Sequence, residues 1–133
     1  MEDCIFCKIA AGEIPAFKIY EDDLCVATLD IGPASEGHTL IIPKKHYRDL
    51  TEMDEALLGS LFTVAKKIGT RQMARLGADG FNVVQNNGTA AGQTVMHFHM
   101  HVIPRYLNGP QMVTWEPEDP GMEALQAVYE KLK

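Results

Sequence analysis

Three of the five histidines alternate with apolar residues in Gln93-Thr94-Val95-Met96-His97-Phe98-His99-Met100-His101-Val102-Ile103-Pro104. On a β-strand successive side chains point to opposite faces, so this spacing predicts His97, His99 and His101 on one face and Phe98, Met100 and Val102 on the other. At about 3.3 Å of rise per residue the outer pair would stand roughly 13 Å apart, with His97 about 7 Å from His99. An imidazole is half-titrated near neutral pH, which suits it to nucleophilic and acid–base work better than to a core. The preceding Asn86-Asn87-Gly88-Thr89-Ala90-Ala91-Gly92 is small and amide-rich, so its backbone N–H groups can close on an anion. A water-activating metal held by all three imidazoles is the competing chemistry, but a span of roughly 13 Å supplies two adjacent ligands more readily than three.

A second group with metal chemistry is Cys4-x-x-Cys7, the spacing of a zinc half-site. A thioredoxin-like redox pair or two packed thiols would look the same, although the redox reading wants a βαβ context that this N-terminus does not offer. Closing a tetrahedral site needs two more ligands, and His38, His46, His97, His99 and His101 are the candidates. Three cysteines, an odd number, do not read as a disulfide framework. Cys25 reads as core.

The elements that must position these residues follow from the patterning. Cys4 to Gly12 reads as one or two helical turns closed by Gly12 and followed by Ile14-Pro15. Phe17–Tyr20 and Leu24–Leu29 flank the polar Glu21-Asp22-Asp23 and predict a β-hairpin. Asp30 follows at the strand end, where a turn-forming Asp ahead of Gly32-Pro33 is one reading. After the loop 32–37, His38–Pro43 reads as a buried central strand, and Lys44 and Lys45 as a solvated turn. From about Thr51 to Leu76, Leu58, Leu61, Phe62, Ala65, Ile68 and Leu76 recur near a period of 3.6. Thr51 or Asp54 can cap the start, and Gly77 ends the helix. Gly80–Asn86 predicts a strand pairing antiparallel with the histidine strand. Arg105 and Tyr106 fall at an edge or turn, and Glu123–Leu132 predicts a terminal helix.

The fold expected is therefore α+β: a mostly antiparallel sheet of about five strands with a long helix on one face and a short C-terminal helix. With 133 residues the chain fits a single domain, 1–133. Its 46% hydrophobic and 23% charged residues are ordinary for a soluble protein. A formal charge of −6 argues against nucleic acid or anionic membrane as main partners, which are bound by basic patches. The acidic Met1-Glu2-Asp3-Cys4 start lacks the parts of a signal peptide, and no run approaches a membrane span, so a cytoplasmic location is expected.

His97-Phe98-His99-Met100-His101-Val102-Ile103 resembles the His-φ-His-φ-His-φ-φ signature (φ apolar) of the histidine triad superfamily of nucleotide hydrolases and transferases. Gly92-Gln93-Thr94, Ile14-Pro15, Leu29-Asp30-Ile31 and Gly37-His38-Thr39-Leu40-Ile41-Ile42-Pro43-Lys44-Lys45-His46 resemble other family segments in the same order, covering nearly the whole chain. The resemblance implies attack by His99 on the α-phosphorus of a purine nucleotide through a nucleotidyl-histidine intermediate. A nucleoside monophosphate such as AMP would leave a phosphoramidate or dinucleoside polyphosphate. It further implies that Asp30 holds the ribose hydroxyls. His101, Asn86, Gln93 and Thr94 would hold the phosphate oxygens and leaving group, with His38 supporting the triad from a neighbouring strand. Zinc-containing members imply one structural zinc on Cys4, Cys7, His46 and His97, which competes with a catalytic role for His97. A two-fold homodimer is also implied. Gln111–Pro117 resembles the family's Trp-bearing tail, but it lies further from the triad than in the compact phosphoramidase branch, so Trp115 is not carried to the pocket. A different class, a non-catalytic nucleotide-binding sensor with a structural zinc, would use the same residues without turnover.

Overall fold

The structure is a computed structural model that describes residues 3–110 and 115–133. Five strands, β1 (Lys18–Glu21), β2 (Cys25–Leu29), β3 (Thr39–Pro43), β4 (Gly80–Val84) and β5 (Met100–Arg105), form one sheet in the order β1-β2-β3-β5-β4. Every neighbouring pair is antiparallel. The helices are α1 (Ile5–Ala10), α2 (Glu55–Leu76) and α3 (Met122–Leu132). The α+β architecture expected from the patterning is the one found, and no helix among the described residues is long and apolar enough to cross a membrane.

Alternation along the strands divides the sheet into two faces. Cys25, Ala27, Ile41, Phe98, Met100 and Val102 pack with Leu61, Val64, Ala65 and Ile68 of α2 in one buried cluster. Val26, Leu40 and Ile42 face the other way and pack with Phe6 and Ala10 of α1. His101 is opposite Leu40 on β3 and Val84 on β4, so its side chain belongs to the α1 face.

Of the two caps the sequence offers for the long helix, Asp54 is the one used. Asp54 caps it by accepting from Leu57 N–H at 3.1 Å, and Gly77 ends it at φ +70°. Thr51 instead lies in a separate 3₁₀ turn (Leu50–Glu52), where Asp49 accepts from its N–H. Phe62 and Leu76, expected in the apolar stripe, are exposed, whereas Gln72 is buried and donates to the carbonyls of Gly37 and Val102.

The triad segment is the larger departure. Regular strand begins at Met100, so only His101 of the three histidines lies on a strand, and His97 sits in a bend. The β3–β5 ladder stops at Ile41↔Met100, two residues short of Pro43, which has no N–H to donate. Beyond that point Phe98 N–H donates to the Tyr47 carbonyl at 2.6 Å, and the Pro43 carbonyl receives the ring of His97 instead. Of the tail expected at Gln111–Pro117, residues 111–114 lie outside the described residues, and Trp115 is exposed.

Candidate functional site

Four side chains meet where α1, the turn after β3 and the histidine bend converge. His97 Nδ1 lies 3.2 Å from Cys4 Sγ, 3.4 Å from Cys7 Sγ and 3.1 Å from His46 Nδ1, and Cys7 Sγ is 3.4 Å from His46 Nδ1. One donor atom from each of Cys4, Cys7, His46 and His97 falls within 4.8 Å of the others. Tetrahedral coordination at ordinary zinc–nitrogen and zinc–sulfur lengths requires ligand–ligand edges of about 3.3–3.8 Å, so the donor set fits such an ion. The tautomer agrees. His97 Nε2 lies 2.9 Å from the Pro43 carbonyl, which can only accept, so the proton sits on Nε2 and the Nδ1 lone pair faces the cysteines. His97, fully buried, therefore belongs with the thiols by its ring.

Its backbone serves the next histidine. His99 Nδ1 is 2.8 Å from the His97 carbonyl, which by the same reasoning places the His99 proton on Nδ1 and leaves a lone pair on Nε2. Phe6, between the two cysteines on α1, stands edge-on to the His99 ring with centroids 4.8 Å apart at 83°. The rings of His99 and His101 are 5.0 Å apart, closer than the roughly 7 Å of alternate positions on an extended strand.

A hydrogen-bonded chain fixes His101. Ala34 N–H donates to His38 Nδ1 at 2.9 Å, so a neutral His38 carries its proton on Nε2, which lies 2.9 Å from His101 Nδ1. His101 accepts there and keeps its own proton on Nε2. Asp30, His38 and His101 also come within 4.8 Å of one another, but a cation would need the His38 Nε2 lone pair that this arrangement has protonated. Burial lowers the pKa of His38, with Asp30 opposing and Arg105 adding. Burial likewise lowers His99, against the His97 carbonyl and Asp30. For His101, burial followed by the neighbouring His99 and His38 pushes the value down to about 4, with Asp30 opposing. All three imidazoles are thus neutral at pH 7.

The remaining residues expected at the site are placed unevenly. Asp30 accepts from Gly32 N–H through Oδ1 at 2.8 Å, as a turn-forming Asp does, while Oδ2 lies 3.6 Å from His38 Nε2 and keeps capacity for a ligand. Asn86 is half-buried beside Gly92. Gln93 is buried and its amide is committed: Oε1 accepts from Gly88 N–H at 2.8 Å, and Nε2 donates to the carbonyls of Arg48 and Val95 at 2.7 and 3.0 Å. Gln93 therefore braces the Gly-rich loop rather than offering a free amide to a phosphate. Thr94 is exposed and lines a cleft with Cys4, His46 and Arg48, on the cysteine side of the bend. Arg105 donates to Asn82 Oδ1 and Tyr106 to the Glu36 carbonyl, which ties both into the scaffold.

Sequence reasoning missed Phe6, the carbonyls of Pro43 and His97, and Ala34 N–H. The main-chain groups leave no mark in residue type. The one available signal was Pro43, a ladder-breaking residue ending a buried strand.

Residues 11–108 match the HIT domain. The chain belongs to the HIT family. Among its relatives, the adenylylsulfatase HINT3 of Arabidopsis thaliana is 47% identical over 103 residues, covering 77% of this chain and 52% of that protein. A crystal structure from Streptococcus mutans UA159 superposes on 99% of this chain and 84% of its own at 41% identity, with a TM-score of 0.93. A zinc-bound histidine triad family protein from Mycobacterium smegmatis superposes on 98% of this chain and 96% of its own at 38% identity, with a TM-score of 0.79.

Proposed function

We propose that this HIT protein, acting as one domain over 1–133, hydrolyses nucleotides at the α-phosphorus through a nucleotidyl-histidine intermediate on His99. The observation that carries the reading is the hydrogen bond from His99 Nδ1 to the His97 carbonyl, because it leaves the Nε2 lone pair of a neutral imidazole as the free nucleophile. In the first step a bond forms from His99 Nε2 to phosphorus while the bond to the leaving group breaks, the electron pair departing with that group. In the second, water attacks phosphorus, releasing the nucleoside monophosphate and restoring His99. His101, with its proton on Nε2 and its ring beside His99, donates to the phosphoryl oxygens or the departing atom.

Asp30 is placed to accept from ribose hydroxyls. Next to it Ile31 is 94% exposed and Phe17 70% exposed, an apolar surface for a purine base. Amides of the Gly-rich loop, held by Gln93, together with Asn86 complete the phosphate cradle in this reading, while Thr94, in the cleft on the cysteine side of the bend, stands apart from it. The leaving group is the amine of a phosphoramidate or a phosphate of a dinucleoside polyphosphate, and the adenylylsulfatase relative adds sulfate to that range.

The same reading assigns one zinc ion to Cys4, Cys7, His46 and His97. It holds no substrate group. Its contribution is to pin α1 and the histidine bend, and so Phe6 and the His97 carbonyl, around His99. A cytoplasmic location and a two-fold homodimer belong to this proposal. The test is a rapid quench after mixing with an α-³²P-labelled adenosine phosphoramidate, diadenosine polyphosphate or adenylyl sulfate. Label on His99 is expected. No histidine-bound label with any of the three, under conditions where AMP binds, would leave the chain a nucleotide-binding sensor.

A further inference from the structure

The Cys4-x-x-Cys7 spacing admits both a zinc half-site and a redox pair, and the fold makes room for both. Cys4 caps α1 and Cys7 is its third residue, with Cys7 N–H donating to Cys4 Sγ at 3.4 Å. Cα atoms three residues apart on a helical turn stand about 5 Å apart, inside the roughly 4.4–6.8 Å that a disulfide spans. The two sulfurs converge on one atom, His97 Nδ1, at 3.2 and 3.4 Å.

Both thiols are within reach of a small solute. Cys4 and Cys7 are half-buried, and Cys4 lines a cleft of about 630 Å³ with His46, Arg48 and Thr94. The third cysteine is their opposite. Cys25 is fully buried in the α2 core, and burial, with the Asp22 carboxylate adding and Lys44 opposing, pushes its thiol up to about 12. A thiol that is neither accessible nor ionised is inert, whereas one held by a metal is already a thiolate.

The two cross-links differ in what they join. Zinc on Cys4, Cys7, His46 and His97 ties α1 to the turn after β3 and to the histidine bend, positions up to 93 residues apart. A Cys4–Cys7 disulfide closes a single turn and reaches neither segment. Stabilisation by a cross-link grows with the length of chain it closes, so exchanging one for the other gives up most of the constraint. It also takes both anionic ligands from the ion and leaves two neutral imidazoles.

We propose that Cys4 and Cys7 form a peroxide-responsive modification site, closing to a disulfide and releasing the zinc while Cys25 stays reduced. One thiolate attacks a peroxide oxygen; the O–O bond breaks, hydroxide leaves with the electron pair, and the sulfur becomes a sulfenic acid. The other thiolate attacks that sulfur and expels a second hydroxide as the S–O bond breaks. Each hydroxide takes a proton from solvent and becomes water, so the sulfur pair loses two electrons and the peroxide gains them. The disulfide leaves α1 unpinned, and with it Phe6, which stands edge-on to His99. Release of metal presupposes the zinc reading above, whereas closure of the disulfide does not.

The test is stepwise addition of hydrogen peroxide to the full-length, zinc-loaded protein. Released zinc is followed with a metallochromic dye, and thiols by alkylation under denaturing conditions with peptide mass mapping. One zinc should appear per disulfide formed, the disulfide should join Cys4 to Cys7, and Cys25 should remain alkylatable. Tm should fall to that of protein stripped with a chelator, and dithiothreitol with added zinc should restore it. The Cys25→Ala variant should release zinc with the same stoichiometry. Protein that keeps its zinc and all three thiols under peroxide sufficient to oxidise free cysteine would overturn the proposal. So would sulfinic acid without a disulfide, or zinc release that requires Cys25. A protein that binds no zinc even after reduction and supplementation would sink the metal reading and the coupled release with it, and a Cys4–Cys7 disulfide formed in that protein would still establish the modification site.

Discussion

His97 turns its ring toward Cys4, Nδ1 to Sγ at 3.2 Å, while its backbone carbonyl takes the Nδ1–H of His99 at 2.8 Å. One residue thus joins the cluster of Cys4, Cys7 and His46 to the ring of His99, whose Nε2 it leaves unprotonated. The resemblance set two roles for His97 in competition, ligand and triad member; its ring faces the thiols and its carbonyl faces His99, so the two need not fall on the same atom.

If His99 is the nucleophile, His99→Ala should lower kcat by several orders of magnitude while AMP affinity stays within a few-fold. A nucleophile acts mainly in the transition state, so its loss falls on turnover rather than on binding. Single-turnover rates and AMP titration on the same variant check this. More than a tenth of wild-type kcat would remove His99 from the role.

Asp30→Ala should discriminate between sugars. Loss of two hydroxyl–carboxylate hydrogen bonds would cost ribonucleotides on the order of 2–4 kcal/mol, and 2′-deoxyribonucleotides less. Since Oδ1 also closes the turn onto Gly32 N–H, some stability is lost in both cases, and the comparison between sugars isolates the ligand contact. Equal losses of affinity for the two would leave Asp30 with the turn alone.

Period-2 and period-3.6 patterning carried the sheet, the long helix and the placing of Phe98, Met100 and Val102 on one face, because these depend on side-chain polarity; that this face packs on α2 came from the structure. Patterning failed at His97 and His99. There the ladder is broken by Pro43, and the chain is held by the Tyr47 carbonyl and by side-chain bonds to main-chain oxygens that have no signature in residue type. Gln93 shows the same limit. The resemblance implies a phosphate ligand there, yet burial and three internal hydrogen bonds commit its amide to the scaffold.

Burial of neutral His101 makes stability fall on the acid side. His101 faces His99, His38 and Asp30, and its pKa is depressed to about 4 in the folded protein. Below the ordinary histidine value of about 6.5 the unfolded chain takes up a proton that the folded chain refuses. The stability present above that value is therefore lost as pH falls toward about 4. Going from pH 7 to pH 5, the linkage amounts to about 2 kcal/mol, as an order of magnitude. Urea denaturation of wild type and His101→Gln across that range checks it. Wild type should lose more stability than the variant, and parallel curves would mean that His101 titrates normally in the fold.

Replacing Cys4 and Cys7 together with Ser should release the metal and lower Tm before it abolishes chemistry. Four ligands from α1, the turn after β3 and the histidine bend come together only in the native state, so binding free energy is folding free energy. For a chain of 133 residues each kcal/mol lost moves Tm by about 3–5 °C, so losing even a few kcal/mol of zinc binding should lower it by more than about 10 °C. In variant that remains folded, His99 keeps its Nδ1–H bond to the His97 carbonyl through backbone geometry, and the first displacement needs no Lewis acid. Its rate should therefore drop by about tenfold or less, a cost of roughly 1.4 kcal/mol for a less firmly held imidazole. Metal analysis, a melting curve and single-turnover quench on one preparation decide the matter. Wild-type protein purified without zinc and no less stable would dismiss the site. A folded, metal-depleted protein unable to transfer the nucleotidyl group to His99 would move the metal from scaffold to chemistry.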